Sequence, residues 1–313
     1  MEARVIAELM TVMKRIAAAL AALIACLLAP IAFAQGTATL VPAQKLAPAR
    51  PALWVVSDAD TTIYLFGTVH ALPPGIDWYR DAVRDAFEGA DELVTEIIDP
   101  DPAAVQTLVM NTAMLPKGKT LRGELTPKER IQFDAALTKL GLPPAALDGV
   151  EPWFAAITLS TMPIMHTGFS AGNGVESTLN ARAIALGRPH SALETAGYQL
   201  GVFDTLPPAL QKDYLMEVVE KLPTIPDELA KMVDAWQAGD PERLARLMNS
   251  DEDNPVLSEA LLFQRNRAWA DWVKARLDKP GKVFIAVGAG HLAGPRSVQD
   301  DLAQRGVTTR RVQ

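Results

Sequence analysis

The chain of 313 residues holds four histidines, His70, His166, His190 and His291, and two of them occupy matching places. Ile63-Tyr64-Leu65-Phe66-Gly67-Thr68-Val69-His70 and Phe284-Ile285-Ala286-Val287-Gly288-Ala289-Gly290-His291 are each an apolar run ending in G-x-x-H. Each reads as a strand exit, where glycine lets the backbone turn and the histidine faces over the sheet edge. Two other short runs end in carboxylates, Val94-Thr95-Glu96 and Leu193-Glu194-Thr195. In open α/β sheets ligands bind outside the carboxyl ends of the strands. If these four strands are neighbours, His70, His291, Glu96 and Glu194 converge. Two imidazoles and two carboxylates suit a divalent cation such as Mn, Co, Zn or Fe. A metal lowers the pKa of bound water and makes a hydrolytic nucleophile near neutral pH. Whichever of Glu96 and Glu194 is not on the metal could serve as general base.

The elements that must position these residues are legible at both ends. Residues 53–56 and 61–66 are β-rich and flank the turn Ser57-Asp58-Ala59-Asp60, which predicts a hairpin. Helical spacing follows over residues 77–89, then a short strand over 92–97 that carries Glu96. The middle is helical. Thr126-Pro127-Lys128-Glu129 is a capping box with proline at the first helical position, opening a helix to about Leu140. Residues 153–165 predict a buried helix, 170–174 a glycine-rich loop, 175–186 a helix and 190–194 a short strand. Amphipathic helices are expected over 208–222, 226–238 and 241–248, and a longer one over 258–277. A strand over 282–287, a helix over 295–305 and a strand over 307–312 close the chain as a β-α-β unit. The fold class is therefore α/β: a central mixed sheet built from two strand-G-x-x-H half-sites, with a helical middle region.

Composition narrows the function. Lys and Arg number 30 against 37 Asp and Glu, a net charge of -7 without a basic stripe, which disfavours nucleic acid and anionic membranes as partners. The single cysteine, Cys26, excludes a disulfide framework and a Cys-based zinc cluster. Met13-Lys14-Arg15, an apolar run to Ile31 and Ala32-Phe33-Ala34 have the make-up of a secretory signal cleaved after Ala34, with residues 1–12 an upstream start-site extension. The apolar run is shorter than the ~20 residues a spanning helix needs. Leu23-Ile24-Ala25-Cys26 also resembles a lipobox, but lipidation at Cys26 would leave an apolar tail to Ala34 and ranks second. The expected organisation is a signal over 1–34, a flexible leader over 35–52 and one domain over 53–313. The expected location is periplasmic or secreted, with no transmembrane span in the mature chain.

The motifs together resemble the TraB/GumN family, also called TraB/PrgY, which includes the Tiki metalloproteases. The likeness runs from Leu53-Trp54 through Leu65-Phe66-Gly67-Thr68-Val69-His70 and Glu92-Leu93-Val94-Thr95-Glu96-Ile97. It continues at Gly174-Val175-Glu176, at Leu193-Glu194-Thr195 with Gln199, at Arg265-Asn266, and at Val287-Gly288-Ala289-Gly290-His291-Leu292. It spans nearly all of the mature chain; the motifs are specific together and not singly. Members more often carry Asp where Glu176 stands. The resemblance implies metal-dependent, peptidase-like chemistry as in the Tiki branch, with a peptide or other small molecule as substrate, and no defined substrate for most bacterial members.

Blander and rival readings stand beside this one. His70 and His291 could merely cap strands, and Glu96 and Glu194 could be structural ion pairs. Arg265 could neutralise the site carboxylates, grip a substrate carboxylate or lie solvated on its helix. His166 and His190 have no motif support and read as structural, and Trp153 reads as core. Gly168-Phe169-Ser170-Ala171-Gly172 fits G-x-S-x-G, so a serine esterase using Ser170 is an alternative. That elbow needs a buried strand before it and a helix straight after, whereas Asn173-Gly174 follows. Gly288-x-Gly290 lacks the third glycine of a dinucleotide fingerprint, since Gly294 is one place too far. A non-enzymatic protein that captures a peptide or glycan in the same crevice is the remaining alternative.

Overall fold

The computed structural model describes residues 47–98, 101–165, 167–248 and 255–313. The expected signal, Cys26 and His166 lie outside the described residues. Eight strands occur among the described residues: β1 Ala47–Pro48, β2 Leu53–Ser57, β3 Thr61–Thr68, β4 Ile76–Asp77, β5 Glu92–Thr95, β6 His190–Ala192, β7 Gly281–Gly288 and β8 Arg310–Arg311. Six form a mixed sheet in the order β6-β5-β7-β3-β2-β8, while β1 and β4 pair separately. From β6 to β3 every neighbour is parallel; β2 is antiparallel to both β3 and β8. The fold is mixed α/β. Its four parallel strands end at one sheet edge, and these are the four exits that carry His70, His291, Glu96 and Glu194.

The central strands are buried on both faces, which is why they read as continuous apolar runs. Ile63, Leu65, Val283, Ile285 and Val287 pack on one face with Trp269, Val273 and Leu302. Phe66 and Phe284 face the opposite way, into the larger core with Trp78, Phe87 and Trp236. Phe66 meets Phe284 at 5.6 Å and Trp78 at 5.8 Å between ring centroids. The β2–β3 turn is tied by Asp58, whose Oδ1 accepts from Thr61 N at 2.8 Å. The Thr126–Glu129 capping box forms and opens helix Pro127–Lys139. Trp153 is fully buried in helix Pro152–Met165. No helix among the described residues is long and apolar enough to cross a membrane.

Several elements differ from the sequence expectation. The composition of residues 35–52 predicts a flexible leader, yet Ala47–Pro48 pairs with β4, and Ala49 and Ala52 are buried. That pairing uses Ile76–Asp77, so the helix expected from residue 77 begins only at Asp81. Helices Pro102–Thr112, Leu121–Glu124 and Ala196–Asp204 are additional. The long helix expected over 258–277 contains a π-helical turn at Glu259–Phe263, closed by Gln264 N donating to Glu259 O. Such turns shift the register of the side chains that follow. The final strand is reduced to two exposed residues at the sheet edge.

Candidate active site

The strand exits bring the predicted residues together. Glu96 directly follows β5. Beside it the ladder continues past β6, with Leu193 N donating to Thr95 O at 2.9 Å and Glu194 N to Glu96 O at 2.8 Å. This places both carboxylates on one edge. β3 and β7 pair with Thr68 opposite Gly288, so the two G-x-x-H motifs are staggered by one residue. They also leave the sheet differently: His70 follows in irregular chain, whereas His291 lies in the 3-10 turn Ala289–Leu292.

Arg265 is the hub of the cluster. Its Nη2 donates to Glu96 Oε2 at 2.6 Å and to Glu194 Oε2 at 2.9 Å, and its Nε donates to Glu194 Oε1 at 2.9 Å. Nη1 donates to Leu261 O at 3.2 Å and faces His291 Nε2 at 3.1 Å. The guanidinium is 7% exposed, so the solvated reading of Arg265 does not hold. Glu194 also accepts from Trp269 Nε1 at 2.8 Å. Gln199 Nε2 bridges the two carboxylates, 3.0 Å from Glu96 Oε2 and 3.0 Å from Glu194 Oε2. Glu96 Oε1 accepts from Gly288 N at 2.7 Å. Burial alone would raise the Glu96 pKa, but Arg265, the two imidazoles and the Gly288 N–H hold it down at about 2. Burial likewise disfavours the Arg265 cation, and the two glutamates more than offset this.

An arginine nitrogen can only donate, so His291 Nε2 must accept from it. The proton of a neutral His291 is then on Nδ1, which donates to Asn266 Oδ1 at 2.6 Å. Asn266 is oriented in turn by donating from Nδ2 to Arg296 O at 2.7 Å. Burial, and then Arg265, depress the His291 pKa to about 3. Trp269 packs against the same ring at 4.3 Å between centroids. His70 is held differently. Its Nδ1 lies 2.5 Å from Glu176 Oε1, which also accepts from Thr68 Oγ1. Burial lowers the His70 pKa, but Glu176 and Glu96 overcome that and the net shift is upward. His70 Nε2 and Glu176 Oε2 are buried and make no hydrogen bond among the described residues.

A backbone contact explains one motif glycine. A Cβ at Gly174 would stand 2.1 Å from His70 O, so only glycine lets the chain before Glu176 cross the exit of β3. The nucleophile elbow is not formed there. Ser170 makes an isolated bridge with Leu72, and its Oγ accepts from Gly172 N at 3.1 Å. A 3-10 turn follows, and a helix begins only at Val175. His190 Nε2 lies 2.7 Å from Thr95 Oγ1 and serves the β5–β6 pair.

Three contributors escaped the sequence reading. Asn266 and Gln199 were visible only as parts of a motif set, and Trp269 only as one residue of the helix expected over 258–277. A hydrogen-bonding role for such residues depends on which strand exits face them, which spacing does not reveal. No group of three or more His, Cys, Asp or Glu side chains with metal-holding spacing occurs among the described residues. Arg265 lies among the expected ligands Glu96, Glu194 and His291.

Beside the polar cluster is a crevice of about 520 Å³, open solvent space included. Thr68, His70, Gly288 and His291 line one side, and Leu229, Met232, Leu244, Met248 and Leu262 the other. The chain is thus a mixed α/β protein with a charged cluster and a crevice at its parallel strand exits, the place where open α/β sheets bind ligands. Within that class the chain belongs to the TraB/PrgY/gumN family, whose profile matches residues 52–311. Neither a curated protein nor a solved structure matches this chain.

Proposed function

We propose that this crevice is the active site of a metal-dependent hydrolase in which His70, Glu96 and His291 would hold a divalent cation, Mn, Co, Zn or Fe. One observation carries the reading: both imidazoles have Nδ1 held by a side chain, Glu176 for His70 and Asn266 for His291, so each would turn Nε2 to a ligand, although His291 Nε2 here accepts from Arg265 Nη1. Metal-ligating histidines are characteristically oriented through their other ring nitrogen in this way. His70 Nε2 is buried without a partner, and His291 Nε2 lies 4.0 Å from Glu96 Oε1. Glu96 and Glu194 pair with the single guanidinium of Arg265 and Glu176 pairs with His70, so the cluster sets three carboxylates against one guanidinium, a balance that suits a cation. When bound, such a cation supplies Lewis-acid polarisation of a carbonyl and activates water near neutral pH.

The chain's own residues take distinct roles in this proposal. Arg265 keeps Glu96 ionised and fixes its rotamer through Oε2, leaving Oε1 toward the histidines. Glu194 would anchor Arg265, whose Nε and Nη2 both donate to it, and Trp269 Nε1 donates to it as well. Glu96, held at about 2, is too weak a base to accept a proton at neutral pH. To hold the cation, His291 would have to give up the bond that its Nε2 accepts from Arg265 Nη1. An amide is the expected substrate, following the family resemblance, and the secretory make-up of residues 13–34 supports action outside the cytoplasm.

A capture protein without turnover is the second reading. It is favoured by the bond that Arg265 Nη1 already makes to His291 Nε2. Metal analysis of the purified full chain separates the two. Stoichiometric metal that is lost in His70→Ala, with the helical circular dichroism unchanged, is the expected result. A folded chain that takes up no metal after loading would overturn the hydrolase reading in favour of capture.

A further inference from the structure

The crevice wall opposite His70 and His291 is apolar throughout. Leu229, Met232, Leu244, Met248 and Leu262 line it, and among the described residues the two histidines are the only ionisable side chains on the lining. Two contacts tie this wall to the motifs. Trp236 Nε1 donates to Gly67 O at 2.7 Å and so fixes helix Ile225–Gln237, with Leu229 and Met232, over the exit of β3. Met248 rides on the second motif: a Cβ at Gly290 would lie 2.3 Å from its Cε and 3.2 Å from its Sδ. A side chain at this second variable position of the G-x-x-H would make the flexible Met248 thioether shift within the wall.

We propose that the site takes an amide whose side chain next to the reacting carbonyl is uncharged and aliphatic, with Met232 and Met248 as the specificity-determining residues. This rests on the hydrolase reading for the identity of the reacting group, but not for the selectivity of the wall. A charged side chain would lose its water against five aliphatic or thioether groups. An aliphatic one gains by leaving water, and methionine's flexible thioether adapts to chains of different shape. The helix carrying Met248 adds no charge of its own to the lining.

The test uses the full chain labelled with carbon-13 on its methionine methyl groups, with Met232→Leu and Met248→Leu assigning the two signals. N-acetyl-norleucine amide is titrated against the N-acetyl-glutamate and N-acetyl-lysine amides. The expected result is saturable movement of the Met232 and Met248 signals by the norleucine amide, at least tenfold tighter than by either charged amide. The exposed Met110 and Met114 signals should stay still. Gly290→Ala should weaken binding tenfold or more. Met248→Ala, which leaves the motif intact, should also weaken it. Equal binding of charged and uncharged amides, or no movement of the two signals at the solubility limit, would overturn the proposal. The readout needs neither turnover nor metal. A metal-free, inactive chain that still selects the norleucine amide would sink the hydrolase reading alone, and an active metalloenzyme that fails this test would sink the selectivity alone.

Discussion

Asn266 Oδ1 lies 2.6 Å from His291 Nδ1 in a buried setting, and this contact, with Arg265 on the other ring nitrogen, sets the imidazole tautomer. Asn266 cannot rotate its amide freely, because Nδ2 is spent on Arg296 O. That carbonyl is itself placed by a left-handed backbone at Arg296, φ 59°. The proton on His291 is therefore expected as a slowly exchanging, low-field Hδ1 resonance. Asn266→Ala should abolish that signal and cost about 1–3 kcal/mol, the range for a buried donor left without its partner. Asn266→Asp should keep the resonance, since a carboxylate oxygen also accepts from Nδ1. Nitrogen-15 histidine spectra and urea denaturation check both; an Hδ1 resonance unchanged in Asn266→Ala would refute the assignment.

Arg265 gives a test of buried charge. Arg265→Ala leaves Glu96 and Glu194 facing each other without a cation, and a loss of about 3–5 kcal/mol in stability is expected. Arg265→Lys should recover little of it. One ammonium cannot reproduce the fork that serves Glu194 Oε1, Glu194 Oε2, Glu96 Oε2 and Leu261 O. Combining Arg265→Met with Glu194→Gln should cost less than the sum of the single changes, since the second removes a charge the first has stranded. Additive losses in urea denaturation would argue that the two side chains are uncoupled.

The same cluster predicts acid sensitivity. His291 titrates near 3 in the fold against an ordinary 6.5, so the unfolded chain takes up a proton first as pH falls. Its contribution is full above 6.5 and is lost progressively as pH drops toward 3, at about 1.4 kcal/mol per pH unit. Glu96, at about 2 against 4.5, adds a second loss that begins only below 4.5. His70 acts oppositely: its raised pKa gives stability that is complete below 6.5 and lost as pH rises through the folded value. Denaturant midpoints measured between pH 7 and 4.5 should therefore fall in wild type and fall less in His291→Asn. Equal slopes in both would show that His291 is not the group responsible.

Periodicity carried the sheet and not the charged network upon it. Ile63, Leu65, Val283 and Ile285 are buried on a strand period, so β3 and β7 are legible, and the glycines mark where they end. That β5 and β6 join them was a conditional inference; the pairing of Leu93 with His190 and of Val94 with Ile285 supplies it. Arg265 was legible as one residue that could neutralise the site carboxylates, but the helix face it takes was not, because a helix of regular 3.6-residue period does not announce a π turn at Glu259–Phe263. Asn266 and Gln199 were opaque for a related reason. An amide on a helix is polar wherever it points, and only tertiary packing decides which carboxylate or imidazole it meets. Residues 48–52 misled through composition, since alanine and proline are as compatible with a packed segment as with a loose one.

Ser170 distinguishes esterase chemistry from a structural turn. Its Oγ accepts from Gly172 N, and the residue is exposed. Ser170→Ala should therefore change stability by less than about 1 kcal/mol, the loss of one exposed turn bond, and leave any hydrolytic activity intact. Treatment of wild type with a serine-directed phosphonate should give no adduct at this position by mass spectrometry. A stoichiometric adduct at Ser170, with activity lost in Ser170→Ala, would restore the serine mechanism.

Gly174 tests how tightly the first motif is held from behind. Its φ of -61° is open to any residue, so the requirement for glycine is purely steric. A methyl group there would collide with His70 O at 2.1 Å and with Ala171 O at 2.9 Å. Neither is a flexible side chain that can move aside. His70 is pinned through Glu176, and Val175 N donates to Val69 O at 3.1 Å, so the two segments must separate together. Gly174→Ala is expected to destabilise by about 1–3 kcal/mol, as overpacking does. It should also weaken metal uptake, because moving the backbone of His70 breaks its alignment with Glu176. Gly172→Ala, where the nearest contact is Ser170 Oγ at 3.4 Å, is the control and should do neither. If Gly174→Ala matches that control in denaturation and metal content, the close approach of the loop to His70 is not what holds the site.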